Sequence, residues 1–467
     1  MSSAVQRLDW VRRNGIVRGS GDGYLLKSRE DLAQIARDAA NRAMQRGAQQ
    51  VVASANEVAG IVMRARGGVF GSAVREGKQV VSIRVFDRGR TGTATTSALT
   101  RAGLDLAAER AIAIARTVEP DPDAAPAADE WLARSASEVP MFEPSNLTAQ
   151  DLGGMALEIE EAALATGGGS VRVNDAGAAS IDASAAMAIG RDFDRSLVAS
   201  RHDIWCSAIA EQDGMMVQDS WSSSDRRVSQ LLPPFMVGRT AADRALRKRG
   251  GRTVDTQTCS ILFDAPVAAS LVYDIVGALT GAAQYRGATF LTGGKGAQAL
   301  SGHVDLLEDP FEPYGLGSGV CDSEGVASIH RFVISGGRVE DYFLSCFYAR
   351  KLGLQPTGNA DGVRNLHFTS RHPPRSTAAL LRLLDRGLWV TELIGGAVDP
   401  VTGTYSKAAA GFWIENGAIA FPVQDITIAG ELPVMLRQIV AIGGDVHRSG
   451  AVRTGSVLIE SMRIAGR

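Results

Sequence analysis

Metal-binding and redox side chains are scarce in this sequence. Its 467 residues include six histidines and four cysteines. The histidines, His202, His303, His330, His367, His372 and His447, are dispersed. No two stand at the three- or four-residue spacing that puts two metal ligands on one face of a helix. A histidine-based metal centre would have to be assembled from distant segments. Cys206, Cys259, Cys321 and Cys346 form no C-x-x-C pair, which leaves free, mostly buried thiols as the expectation for a cytosolic protein. Charge of one sign is lacking as well. Lys+Arg 49 against Asp+Glu 51 gives a net charge of -2, which argues against a dedicated nucleic-acid binder. No window approaches the ~20 apolar residues that span a bilayer. Residues 1–13 show no apolar stretch after their first charges, so no secretory signal is expected. These absences predict a soluble, cytoplasmic protein with no membrane partner.

The pattern present is that of an α+β protein in three modules. A chain this long exceeds one compact core. After an N-terminal extension (1–27), Ser28 is placed to cap a helix. Asp31 stands in its first turn, Leu32, Ile35, Ala36, Ala39 and Ala43 recur at helical spacing, and Gly47 ends it. Strand patterns follow at 50–53, 57–65, 68–75 and 79–87. A turn at 88–90 leads to a returning strand at 91–96, and a helix is expected over 98–117. Residues 28–118 thus read as a first helix and sheet domain. The run EPDPDAAP at 119–126 reads as a linker, because its prolines remove donors and favour extended backbone.

A middle α+β module is expected over 127–236. Its helix starts at Thr148 and is stopped by Gly167-Gly168-Gly169, and short strands follow from 170 to 222. Pro233-Pro234 marks the next boundary, with a basic helix at 240–249. The third module, 237–467, reads as a largely antiparallel β domain with a few helices. It has an apolar helix near 267–281, a strand at 338–345, an Asn416-Gly417 hairpin turn, and a helix at 432–442.

Side chains with chemical potential are few. Gly293-Gly294-Lys295-Gly296 and the glycines at 315–319 lack the spacing of a phosphate loop. Asp322, Glu324, Glu340 and Asp341 could support acid–base work, although carboxylates near turns more often cap them. Ser323, Ser345 and Ser406 lack the context of a nucleophile elbow. Trp205, Trp221, Trp389 and Trp413 fall in strand patterns and read as packing residues. On these signals alone no active site is identified.

The C-terminal module adds a resemblance. Residues 387–406 (GLWVTELIGGAVDPVTGTYS) and 409–417 (AAGFWIENG), with Ile426-Thr-Ile-Ala-Gly430 and Gly455-Ser-Val-Leu-Ile459, resemble the TldD/PmbA family. Asp322-Ser-Glu-Gly-Val326, residues 349–354 and residues 81–97 resemble further family blocks in the same order. Together they cover about residues 28 to 467. In the family, TldD-type members carry H-E-x-x-x-H on a helix and bind a catalytic zinc. TldE/PmbA-type members lack it and pair with a TldD-type chain. Here the equivalent helix reads Leu271-Val-Tyr-Asp-Ile-Val-Gly-Ala278. Tyr273 and Ala278 stand at the two ligand positions and Asp274 at that of the general base. Alanine has no donor atom and tyrosine poorly replaces imidazole, whereas zinc needs about three protein ligands.

The resemblance therefore implies a non-catalytic TldE/PmbA-like subunit with no metal or cofactor of its own. Zinc is expected in a TldD-like partner, and the substrate is an unfolded peptide or a leader segment of a precursor peptide. The remaining role for this chain is to wall a cleft and hold peptide as an added strand. The candidates for cleft or interface are 390–394 and 405–413, with Thr391, Glu392, Tyr405, Ser406 and Trp413. Two alternatives stay open. One is an autonomous hydrolase using Asp322, Glu324 or Asp274. The other is a homodimeric peptide-binding or scaffold protein.

Overall fold

The computed structural model describes residues 24–466; the extension before residue 24 lies outside the described residues. The first six strands form one antiparallel sheet in the order β3-β2-β1-β4-β5-β6. They are β1 (Gln50–Arg66), β2 (Val69–Asp87), β3 (Arg90–Thr96), β4 (Val171–Ile189), β5 (Phe193–Gln212) and β6 (Met215–Asp225). The separate short strands expected at 50–53 and 57–65 are one strand, as are those at 68–75 and 79–87. Glu57 does not interrupt β1. Its buried carboxylate accepts the backbone N–H groups of Leu26 and Lys27 and the amide of Gln79.

Four helices cover one face of this sheet in two pairs. Alternate residues of β1 point to the same side. Val51, Ala53 and Ala55 meet α1 (Arg29–Gln45) and α2 (Arg101–Thr117), while Met63 joins the core under α3 (Ala149–Gly167) and α4 (Pro234–Arg247). The alanine-rich faces of α1 and α2 allow close approach to the sheet. A Cβ at Gly92 of β3 would lie 2.1 Å from the Ala111 carbonyl oxygen. The Ser28 capping box and the Thr148–Asp151 capping box fix the starts of α1 and α3. Pro234 opens α4 instead of breaking the chain, because proline at a first helical position loses no intrahelical hydrogen bond.

Segment 119–126 does not hold two independent sheets apart. β1 pairs with β4 from Val52↔Ile189 to Ala65↔Ala176, so the strands before and after the segment are neighbours. The segment is also pinned. Arg350 donates to the carbonyls of Asp123, Ala125 and Pro126, and Lys351 pairs with Asp121 and Asp123. Arg350 thus satisfies backbone carbonyls of the segment and Lys351 its carboxylates, both from α7 (Cys346–Leu352) of the last module.

That module contains α5 (Ala265–Ala278), α6 (Gly281–Arg286), α8 (Thr377–Leu384) and α9 (Leu432–Arg437) with two sheets. One sheet runs β10-β9-β8-β11-β16 and the other β14-β13-β12-β7-β17-β15. Their strands are β7 (Gln257–Phe263), β8 (Val304–Asp309), β9 (Arg331–Ser335), β10 (Arg338–Val339), β11 (Asn365–Ser370), β12 (Gly387–Val398), β13 (Thr404–Glu415), β14 (Ala418–Glu431), β15 (Ile439–Ile442), β16 (Val452–Thr454) and β17 (Val457–Ala465). Pairing is antiparallel except for β7 with β12 and β11 with β16. The strand expected at 338–345 ends after Val339. The helix expected to reach 442 stops at Arg437, and 439–442 pair with β17. The protein is an α+β structure whose C-terminal part is mainly antiparallel β. Its largest core includes Leu271, Val272 and Ile275 of α5 between the two sheets.

Candidate functional site

Helix α5 positions the candidate site. Its buried residues Ala268, Leu271, Val272, Ile275 and Ala278 recur at three- and four-residue intervals and pack into the core. The opposite face carries Ser270, Tyr273 and Asp274. Tyr273 is 51% exposed and Ala278 3% exposed, on different sides of the helix. Neither replaces an imidazole, because alanine carries no donor atom and the Tyr273 phenol is a poor zinc ligand at neutral pH. Among the described residues, no group of three or more His, Cys, Asp or Glu side chains is arranged to hold a metal ion. The residues here do not fit the zinc that the resemblance implies for its partner. Asp274 instead lies within electrostatic reach of Tyr405 and Lys407 on β13. Burial raises its carboxyl above the usual range, with Lys407 opposing, and burial with Asp274 nearby raises the Tyr405 phenol.

A cleft of about 360 Å³ opens between the first half of α5, strand β6 and the middle of β12. Thr391 and Glu392 line it beside Ser270, Trp221, Arg244 and His447. The β12–β13 ladder pairs Val390 with Gly411 and then Glu392 with Ala410, which leaves Thr391 outside the register as a bulge. Gly411 permits this, because a Cβ there would sit 1.9 Å from the Trp389 carbonyl oxygen.

The cleft floor is an ion-pair network. Arg244 of α4 donates to Asp219 of β6 at 3.1 Å, to Asp264 at the start of α5 at 3.0 Å, and to the Thr391 carbonyl at 3.3 Å. Its guanidinium also lies 5.1 Å from the Trp221 ring centroid. One turn on, Lys248 contacts Asp219 at 2.8 Å and Glu392 at 2.5 Å. Burial holds the His447 imidazole below its ordinary pKa, with Arg244 adding to the effect, and its ring meets Trp221 edge-on at 5.8 Å.

The structure separates the remaining candidates. Tyr405 is buried and its hydroxyl has no hydrogen-bond partner among the described residues. Ser406 is exposed on the opposite face of β13. Trp413 lies in the core, 3% exposed, donating to Glu415, and is not brought to the cleft. Asp322 is 1% exposed and accepts the backbone N–H groups of Glu324, Val326 and Ala360, while burial pushes its carboxyl up to about 6. Glu324 accepts the N–H of Cys346 and faces Arg84. Both carboxylates brace loops. All four cysteines are free, and burial pushes Cys259 and Cys321 up to about 11 and Cys206 to about 12. Arg244, Lys248, Asp219 and His447 were not singled out from sequence. The four-residue spacing of Arg244 and Lys248 beside buried Ala241 and Ala245 was the available signal.

The sequence and fold are similar to those of known proteins. Residues 256–466 match the PmbA/TldA metallopeptidase C-terminal domain, and residues 51–115 match PmbA/TldA metallopeptidase domain 1. Metalloprotease PmbA of Escherichia coli O157:H7 is 33% identical over 415 residues, covering 88% of this chain and 91% of that protein. A PmbA homologue of Haemophilus influenzae is 30% identical over 446 residues, 95% of this chain and 98% of its own length. A Thermotoga maritima protein named for modulation of a DNA gyrase superposes with a TM-score of 0.83 at 26% identity, covering 92% of this chain and 99% of that one. TldE of Thermococcus kodakarensis gives a TM-score of 0.81 at 16% identity, covering 94% and 100%, and so shares the fold. With this identity along nearly whole relatives, the chain belongs to the PmbA/TldD family.

Proposed function

We propose that this chain is the non-catalytic, TldE/PmbA-like subunit of a heteromeric, cytoplasmic zinc peptidase. A TldD-like partner holds the zinc, and the pair cleaves unfolded peptides or leader segments. One observation carries the reading. The helix at the position of the family's zinc motif offers an exposed tyrosine, a half-buried aspartate and a buried alanine, with no imidazole at either ligand position. The relatives named as metalloproteases support a peptidase system, and the absent ligand atoms on α5 favour the supporting role within it. In this reading the cleft beside α5 receives peptide. Thr391 and Glu392 form its wall, and β6, at the edge of the first sheet, offers backbone for pairing.

Co-expression with a H-E-x-x-x-H homologue tests the proposal. Peptide cleavage is assayed for each chain alone and for the pair. Activity confined to the pair, and lost when the partner's motif is altered, is expected. Cleavage by this chain alone overturns the reading.

A further inference from the structure

The cleft beside α5, lined by Asp219, Glu392 and Arg244, and the ion-pair network behind it hold more carboxylate than cation. Asp219 and Asp264 share Arg244, and Asp219 and Glu392 share Lys248, so two cations serve three carboxylates. Asp445 adds a fourth carboxylate within electrostatic reach of Asp264. Its hydrogen bonds come from neutral groups, the Thr377 hydroxyl and the Ser456 N–H and hydroxyl. His447 does not restore the balance, because burial and Arg244 disfavour its charged form. A partly desolvated site with surplus negative charge favours a cation.

A second observation points to a ligand. Thr391 is 6% exposed and lines the cavity, and its buried hydroxyl has no hydrogen-bond partner among the described residues. A buried hydroxyl left unpaired costs free energy that a bound polar group removes. The bulge in β12 sets this residue apart from the ladder. Ser270 donates its proton to the Val267 carbonyl at 2.8 Å, which leaves its oxygen as an acceptor on the same cavity wall. Hydroxyl and carboxylate acceptors gathered around one space suit a group with several N–H donors.

We infer that this cleft is a subsite for a primary ammonium group of a bound peptide, with Glu392 as the counter-charge and Thr391 and Ser270 as hydrogen-bond acceptors. The inference rests on the reading that peptide occupies the cleft, and it adds a preference for one kind of peptide. The ammonium comes from a lysine side chain or from a free N-terminus. The volume of about 360 Å³ accommodates either as a single anchored group.

Calorimetric titration of the full chain tests this with four hexapeptides. Three have both ends capped and carry lysine, norleucine or glutamate at one central position; the fourth carries norleucine and a free N-terminus. The lysine peptide, the free-amine peptide, or both should bind about tenfold more tightly than the capped norleucine peptide, and which one gains identifies the source of the ammonium. Glu392→Gln and, separately, Thr391→Val should cut that advantage to about threefold or less, the ratio being taken against the capped norleucine peptide within each variant so that any change common to all peptides cancels. Equal binding of all peptides, preference for glutamate, no binding at all, or an undiminished advantage in Glu392→Gln overturns the inference. A uniform affinity combined with cleavage only by the paired chains would remove the subsite and leave the subunit reading intact.

Discussion

Lys248, at the C-terminal cap of α4, donates to the Glu392 carboxylate of β12 at 2.5 Å, joining a helix that covers the first sheet to the bulged strand of the last module. Lys248 is 5% exposed, and its ammonium also contacts Asp219 at 2.8 Å. Removing this buried charge strips Glu392 of its cation and leaves Asp219 with Arg244 alone. Lys248→Met should therefore destabilise the protein by about 3 kcal/mol, the low end for breaking a buried pair, because the Glu392 side chain keeps 37% exposure to water. Urea unfolding of variant and parent measures the difference. A loss below about 1 kcal/mol would show that the network is a surface arrangement of little weight.

A polar seam separates the two helix pairs on the first sheet, and it carries opposed pH dependences. Asp182 accepts the Tyr24 N–H and is pushed up to about 6 by burial. His202, bonded to Ser180, is pushed down to about 4 by burial, with Asp203 opposing. The raised carboxyl adds stability that is complete below its ordinary pKa of 3.8 and lost as pH rises toward 6. The depressed imidazole adds stability present above its ordinary 6.5 and lost as pH falls toward 4. Between these limits the two slopes cancel in the parent. Asp182→Asn should uncover the histidine alone, so stability falls by up to about 1.4 kcal/mol per pH unit on acidification from 6.5 toward 4. His202→Gln should show the reverse slope between 4 and 6. Denaturant melts across that range check both signs.

Asp322 has the burial of a catalytic acid and the bonding of a structural peg. Its Oδ1 accepts Glu324 and Val326, and its Oδ2 accepts Ala360. Asp322→Asn turns one acceptor into a donor facing a backbone N–H. The expected result is a loss of about 1–3 kcal/mol in stability, the cost of a buried donor left unpaired. Activity of the paired chains, normalised to folded protein, should be unchanged. Loss of turnover with full stability would revive a hydrolytic role for this residue.

The sequence made some of this architecture visible and hid the rest for physical reasons. The Ser28 and Thr148 starts were legible because capping is local, and the apolar faces of α1, α3 and α5 because helical period is local. The union of β1 and β4 was not, since pairing across 119–126 depends on contacts between Val52 and Ile189 that no local pattern records. At the site, Tyr273, Asp274 and Ala278 could be aligned with a family motif, and Thr391 and Glu392 fell within a matching block. Arg244, Lys248 and Asp219 come from two other elements, and only tertiary packing places them under Thr391. Trp413 lay in the neighbouring matched block, yet it shares the core-facing side of β13 with Tyr405 and Ala409 and so does not reach the cleft.

The most direct test of the helper-subunit account is the metal content of this chain purified alone, measured by elemental mass spectrometry after dialysis against trace zinc, together with its peptide-cleaving rate. The account predicts substoichiometric zinc, no dependence of binding on Asp274→Asn, and no cleavage until a TldD-like chain is added. Stoichiometric zinc that is lost with Asp274→Asn, accompanied by cleavage from the isolated chain, would contradict it.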